Sequence, residues 1–216
     1  MKQEVNPQDT SRAHAFELWM KSPMPMVTLT KTFDVTRLYK ISRQKGVKFN
    51  MLLCWCIGKA AKGIDEFYLL PEKAQPDEQA RGLEGRLYKF DRLAINVIVD
   101  NKEGDISSCD IPYSDDLEQF NTDYMTLTQS ASSSCKSTFL DDSMIIGTSS
   151  LVATELDAIV NQYSNVFNNP FLAWGRYRHR LLKTTLPISF QFHHVQMDGG
   201  HAARYLEKLQ KTINAL

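Results

Sequence analysis

The stretch from Leu186 to Gly200 carries the residues best suited to proton chemistry. Its first half alternates: Leu186, Ile188, Phe190, Phe192 and His194 fall on one face of an extended chain, and Pro187, Ser189, Gln191 and His193 on the other. His194 is thereby predicted to end a strand on its apolar side, where loss of water favours the neutral imidazole. That is the form which acts as a general base near neutral pH. Asp198-Gly199-Gly200 then reads as a tight turn into a C-terminal helix. The same pattern also suits a core histidine followed by an N-capping aspartate, and periodicity does not separate the two. A second set of charges arises if 174–180 is a strand. Trp174, Arg176, Arg178 and Arg180 then share one face, with Gly175, Tyr177 and His179 on the other. Three arginines abreast suit phosphate groups, and equally a solvated charged face.

These residues need elements to position them, and the pattern supplies several. Phe49, Leu52, Leu53, Cys56, Ile57 and Ala60 recur with helical spacing, as do Leu117, Phe120, Tyr124 and Leu127 after Ser114, a predicted N-cap with Asp115 and Asp116 in the first turn. Ala202, Tyr205, Leu206, Leu209 and Ile213 mark the C-terminal helix, while Val27-Leu29-Phe33 and Leu93-Ile95-Val97-Val99 alternate as strands. Ser130 to Ser134 reads as a polar loop after a helix, and Glu72 to Glu84, with Pro76, as an exposed loop or insertion. Strands and helices interleave without a regular βαβ rhythm or a glycine-rich phosphate loop, which predicts a mixed α/β layered domain over residues 1–216.

The 216 residues are 43% apolar and 23% charged, enough to bury a sizeable core. Lys+Arg and Asp+Glu both number 25, so nothing favours a nucleic-acid or anionic-membrane partner. The opening residues lack a signal-peptide hydrophobic region, and no stretch approaches a membrane span; the expectation is a cytoplasmic protein. Cys54, Cys56, Cys109 and Cys135 are expected as reduced thiols, and no Cys or His spacing resembles a zinc site, so no metal is expected.

His194-x-x-x-Asp198-Gly199 resembles the HxxxDG motif of CoA-dependent acyltransferases. The doubled histidine and the following His201-Ala202-Ala203-Arg204 are similar to the chloramphenicol acetyltransferase family in particular. Arg12-Ala13-His14-Ala15-Phe16 resembles that family's R-x-x-x-F segment, Lys48-Phe49 opens a helix it places there, and Asp115 to Phe120 resembles its central helix. The resemblance implies a mixed-sheet two-layer sandwich with flanking helices. It further implies a homotrimer with active sites between subunits, and a tunnel that acetyl-CoA and a small hydroxyl acceptor enter from opposite ends. His194 is then the general base and Asp198 pairs with Arg12 to hold the catalytic turn. Lys48 and Tyr177 stand where the family touches CoA; Arg176 and Arg178, from the separate arginine face, are the added candidates for its phosphates.

The pattern departs from the family at the oxyanion. Counting back from His194, the family's oxyanion serine falls on Gly147, which has no hydroxyl, so Thr148 or Ser149 is expected to supply the donor. Trp19, Ile106, Leu151 and Ala173 replace the Tyr, Phe, Trp and Thr of the family's drug pocket, which predicts a differently shaped acceptor site and puts chloramphenicol itself in doubt. Two rivals stand beside this reading. One is another acyltransferase of the superfamily, such as a dihydrolipoyl acyltransferase core, against which no lipoyl segment precedes Arg12. The other is a binding protein that kept the fold and lost turnover.

Overall fold

The computed structural model describes residues 1–164 and 166–216. In chain order the strands are β1 (Gln3–Val5), β2 (Met26–Asp34), β3 (Leu69–Lys73), β4 (Gly85–Lys89), β5 (Leu93–Asp100), β6 (Ile106–Pro112), β7 (Met144–Leu151), β8 (Phe171–Gly175), β9 (Arg178–Arg180) and β10 (Lys183–His193). The helices are α1 (Ala13–Trp19), α2 (Thr36–Lys45), α3 (Phe49–Ala61), α4 (Pro76–Gln79), α5 (Leu117–Ser134) and α6 (Gly199–Asn214). The main sheet runs β2–β10–β8–β7–β5–β6, with β9 paired to the start of β10. β7 lies parallel to both β5 and β8, and every other pairing is antiparallel. A small sheet, β1–β4–β3, stands beside it. The α/β mixed-sheet architecture agrees with the sequence. No helix among the described residues is long and apolar enough to cross a membrane.

The core lies between the main sheet and a helix layer centred on α3. Every residue from Met51 to Gly58 is buried, so this helix is apolar all round rather than along one stripe. Its neighbours α2, α5 and α6 cover it. All four cysteines are free thiols, and burial pushes Cys54 up to about 12, which makes it an inert packing residue.

β10 is the spine of the sheet. From Leu186 to His193 both faces are buried, because β2 and β8 flank it and segments lie across both faces. The alternation in the sequence therefore separates two buried faces, not a wet one from a dry one. Pro187, with no N–H to give, falls in the gap between the β9 pairing, which ends at Thr185, and the β8 pairing, which begins at Ile188.

Four local expectations change. The N-cap of α5 is Asp116, whose Oδ1 accepts from the N–H of Glu118 at 2.8 Å and of Gln119 at 3.3 Å, and Ser114 lies outside the helix. Ser130 to Ser134 is the last turn of α5, not a loop. Ser132 donates its hydroxyl to the Asp100 carbonyl at 2.7 Å, a tertiary bond that outweighs the weak helix propensity of serine. Glu72 to Glu84 holds the end of β3, the single turn α4 and the return into β4, pinned by the Arg86–Glu78 ion pair. Residues 174–180 are not one strand. β8 stops at Gly175, the Arg176 N–H goes to the Thr154 carbonyl, and pairing resumes at Arg178 against β10. The shared arginine face is lost with it.

Candidate active site

α6 begins where β10 ends, and Asp198 makes the junction. Its Oδ1 accepts from the N–H of Gly200 at 2.9 Å and of His201 at 3.2 Å, capping the helix. Arg12, at the start of α1, reaches this turn from the other end of the chain. Its Nε donates to the Val195 carbonyl at 2.8 Å, Nη2 to the His194 carbonyl at 3.0 Å, and Nη1 lies 3.3 Å from Asp198 Oδ2. Arg12 is 5% exposed, whereas the Asp198 side chain is 44% exposed. The expected pair is present, but the guanidinium spends two of its three contacts on backbone carbonyls. Partial burial pushes the Asp198 carboxyl up, yet the His201 N–H, the His201 ring and Arg12 outweigh it and hold the group at about 2.

The two histidines part company at the strand end. His193 is the last residue of β10 and fully buried. Its Nδ1 accepts from the Val195 N–H at 3.1 Å, and burial pushes the imidazole down to about 3. His194 lies past the strand, half-buried, with its ring stacked on Trp19 at 4.2 Å between centroids and 7° between planes. Its Nδ1 is buried without a partner, so Nε2 is the nitrogen left for a reacting molecule. The fully buried ring is thus that of His193, because the chain has left the strand before His194.

Two cavities flank the strands that carry Gly147. The larger, about 1440 Å³, brings together Lys48, Thr148, Ser149, Arg176 and Tyr177. Asn50, which the sequence did not single out, joins them, and its Nδ2 donates to Ser150 Oγ at 3.0 Å. Tyr177 packs against Phe49 and Tyr39. Arg178 lies elsewhere: its Nη2 sits 2.7 Å from Asp157 Oδ1 and its Nε 3.4 Å from Glu155 Oε2, a local ion-pair cluster that removes it from the phosphate role. Thr148 Oγ1 donates to the Asn96 carbonyl at 2.7 Å, so its proton is committed, and Ser149 is the hydroxyl on the face of Gly147.

The second cavity, about 700 Å³, is lined by Asn96, Asp110, Gly147, Phe171 and Gln191 among others. The two cavities share Ile98 and Ile106. A Cβ on Gly147 would stand 2.4 Å from Phe171 Cδ2, so this ring occupies the space a side chain there would need. Of the predicted drug-pocket positions, Ile106 is at the junction of the cavities, Leu151 lines the larger one, Trp19 lies on His194, and Ala173 is buried and lines neither. His194 lines neither cavity of its own chain.

A family model described as chloramphenicol acetyltransferase matches residues 3–210. The chain belongs to the chloramphenicol acetyltransferase family. It is 25% identical over 194 residues to chloramphenicol acetyltransferase 3 of Escherichia coli, covering 87% of this chain and 85% of that one. Among solved structures, a chloramphenicol acetyltransferase superposes with a TM-score of 0.79 at 18% identity, over 99% of this chain and 100% of the other. The truncated catalytic core of a 2-oxoacid dehydrogenase multienzyme complex from Thermoplasma acidophilum follows at 0.68 and 17% identity, over 98% of each chain. At these identities the solved structures establish the fold, and the family assignment rests on the residue 3–210 match. Asn96, Asp110 and Gln191 escaped the sequence because only strand register, not spacing along the chain, sets them beside Gly147.

Proposed function

We propose that this chain transfers the acetyl group of acetyl-CoA to a hydroxyl of a small acceptor. His194 Nε2 takes the hydroxyl proton and the resulting oxygen attacks the thioester carbonyl. The tetrahedral intermediate then collapses, the CoA sulfur leaves, and the proton held on His194 returns to it as the thiol. Lys48, Arg176 and Tyr177 belong to the CoA side, in the larger cavity, and the acceptor to the smaller one. Ser149 is the donor toward the oxyanion, since Gly147 has none and Thr148 has spent its own.

The observation that carries this reading is the three-contact hold of Arg12 on the His194–Asp198 turn. It fixes the backbone of the histidine rather than merely neutralising a charge, as a pre-organised base requires. The meeting of the two cavities at Ile98 and Ile106 supports entry of two substrates from opposite ends. Because His194 lines neither cavity of its own chain, a second copy is needed to bring this residue to the site, which supports the trimer with interfacial sites. The test is release of free thiol from acetyl-CoA across a panel of hydroxyl acceptors. Gly147, packed under Phe171, favours one second reading, a binding protein without turnover; it predicts acceptor binding and no thiol release with any member of the panel.

A further inference from the structure

Strand register lays five residues side by side across the sheet. Asp110 of β6 pairs with Asn96 of β5, Asn96 with Gly147 of β7, Gly147 with Phe171 of β8, and Phe171 with Gln191 of β10. All five line the 700 Å³ cavity, and together they form its floor. Asp110 stands at one end of the row and is 4% exposed. Its Oδ1 accepts from Asn96 Nδ2 at 2.7 Å and its Oδ2 from the Leu140 N–H at 2.8 Å. These two bonds fix the carboxylate and leave half of its lone-pair directions open. Among the described residues no lysine, arginine or histidine lines the cavity, and none forms an ion pair with Asp110. Burial raises its pKa, the response of a carboxyl that lacks a counter-charge. The hydroxyls of Ser107, Ser108 and Ser137 line the cavity beside it, and Ile106, Leu140 and the well-exposed rings of Phe139 and Phe167 supply its apolar walls.

A buried carboxylate with no cation of its own, fixed in an apolar cavity, is matched by a ligand that brings one. We propose that the acceptor is an alcohol carrying a protonated amine, bound by Asp110, with its hydroxyl toward Gly147. Two strand spacings separate Asp110 from Gly147, about 10 Å, so the amine and the hydroxyl stand several bonds apart. A neutral alcohol of the same shape leaves the carboxylate desolvated and unpaired. This inference rests on the reading of the smaller cavity as the acceptor side.

The experiment compares aminooctanol with nonanol, its neutral counterpart of equal length, by calorimetric titration and by thiol release from acetyl-CoA. The expected result is binding at least tenfold tighter for aminooctanol, with kcat/KM favouring it similarly, and loss of that preference in Asp110→Asn. Equal binding of the two alcohols to the wild-type protein overturns the proposal whether or not the variant folds. So does a preference that survives in a folded Asp110→Asn. Charge-selective binding without thiol release upholds the proposal and sinks the transfer reaction, whereas thiol release with no charge preference does the reverse.

Discussion

The indole of Trp19 lies flat on the imidazole of His194, with centroids 4.2 Å apart and planes 7° from parallel. α1 delivers both the lid of that stack and, one helix length earlier, the Arg12 guanidinium that holds the His194 carbonyl. One short helix thus fixes the ring and the backbone of the same residue. Aromatic stacking contributes about 0.5–1.5 kcal/mol. Trp19→Ala should therefore lower kcat by up to roughly tenfold, and Trp19→Phe should retain most of the rate. Steady-state kinetics of the two variants check this, and equal losses in both would show that stacking is not the contribution of Trp19.

The Arg12–Asp198 pair should be asymmetric. Removing the guanidinium strips donors from two carbonyls, while removing the aspartate charge weakens only the long Arg12 contact and the His201 ring contact at a half-exposed group. Arg12→Ala is expected to cost about 3 kcal/mol of stability, and Asp198→Asn about 1 kcal/mol. The double variant should fall short of the sum, since both act on one turn. Denaturant titration of the cycle measures this, and strict additivity would contradict the shared role.

Gly147→Ser should not raise the rate, because the new Cβ must displace Phe171, which stands 2.4 Å away. Ser149→Ala should lower kcat by about 10²–10³ if it donates to the oxyanion, with KM little changed because the oxyanion exists only after attack. Thr148→Ala loses its tie to the Asn96 carbonyl and its contact with Cys54 Sγ, both structural, and should affect stability more than kcat. An active, unchanged Ser149→Ala would remove this donor from the account.

His193 gives the protein an acid limit. The unfolded histidine binds a proton near pH 6.5 and the folded one only near 3, so between those values the unfolded state carries the extra proton. Stability is therefore full above about pH 6.5 and declines as pH falls, by up to about 1.4 kcal/mol per pH unit. His193→Asn should flatten Tm against pH across that window, and an unchanged slope would show that another group sets it.

If the site is shared between copies, inactive chains should rescue one another. A His194→Ala chain and a Ser149→Ala chain, unfolded and refolded together, form mixed assemblies in which some interfaces pair an intact His194 with an intact Ser149. Thiol release should recover well above that of either variant alone. No recovery in mixed assemblies verified by mass would place both residues' roles within one chain.

Much of the frame was legible in the sequence, because α5, α6, β2 and β5 each carry their own period and α3 is a long apolar run. The Arg12–Asp198 contact was legible only through family resemblance, as 186 positions separate the two residues. What escaped was decided by pairing between distant segments. The break at Arg176 comes from a carbonyl at Thr154, and the helical serines of α5 from a carbonyl at Asp100. Alternation along β10 could not tell His193 from His194 as the desolvated histidine, because both faces of that strand are covered.

The central claim is that His194 is the base of an acetyl transfer from acetyl-CoA. It is tested most directly by thiol release with an acceptor alcohol, wild type against His194→Ala, with circular dichroism confirming that the variant is folded. The account predicts turnover in the wild type and a fall to the uncatalysed rate in His194→Ala. A folded His194→Ala protein that keeps the wild-type rate would contradict it.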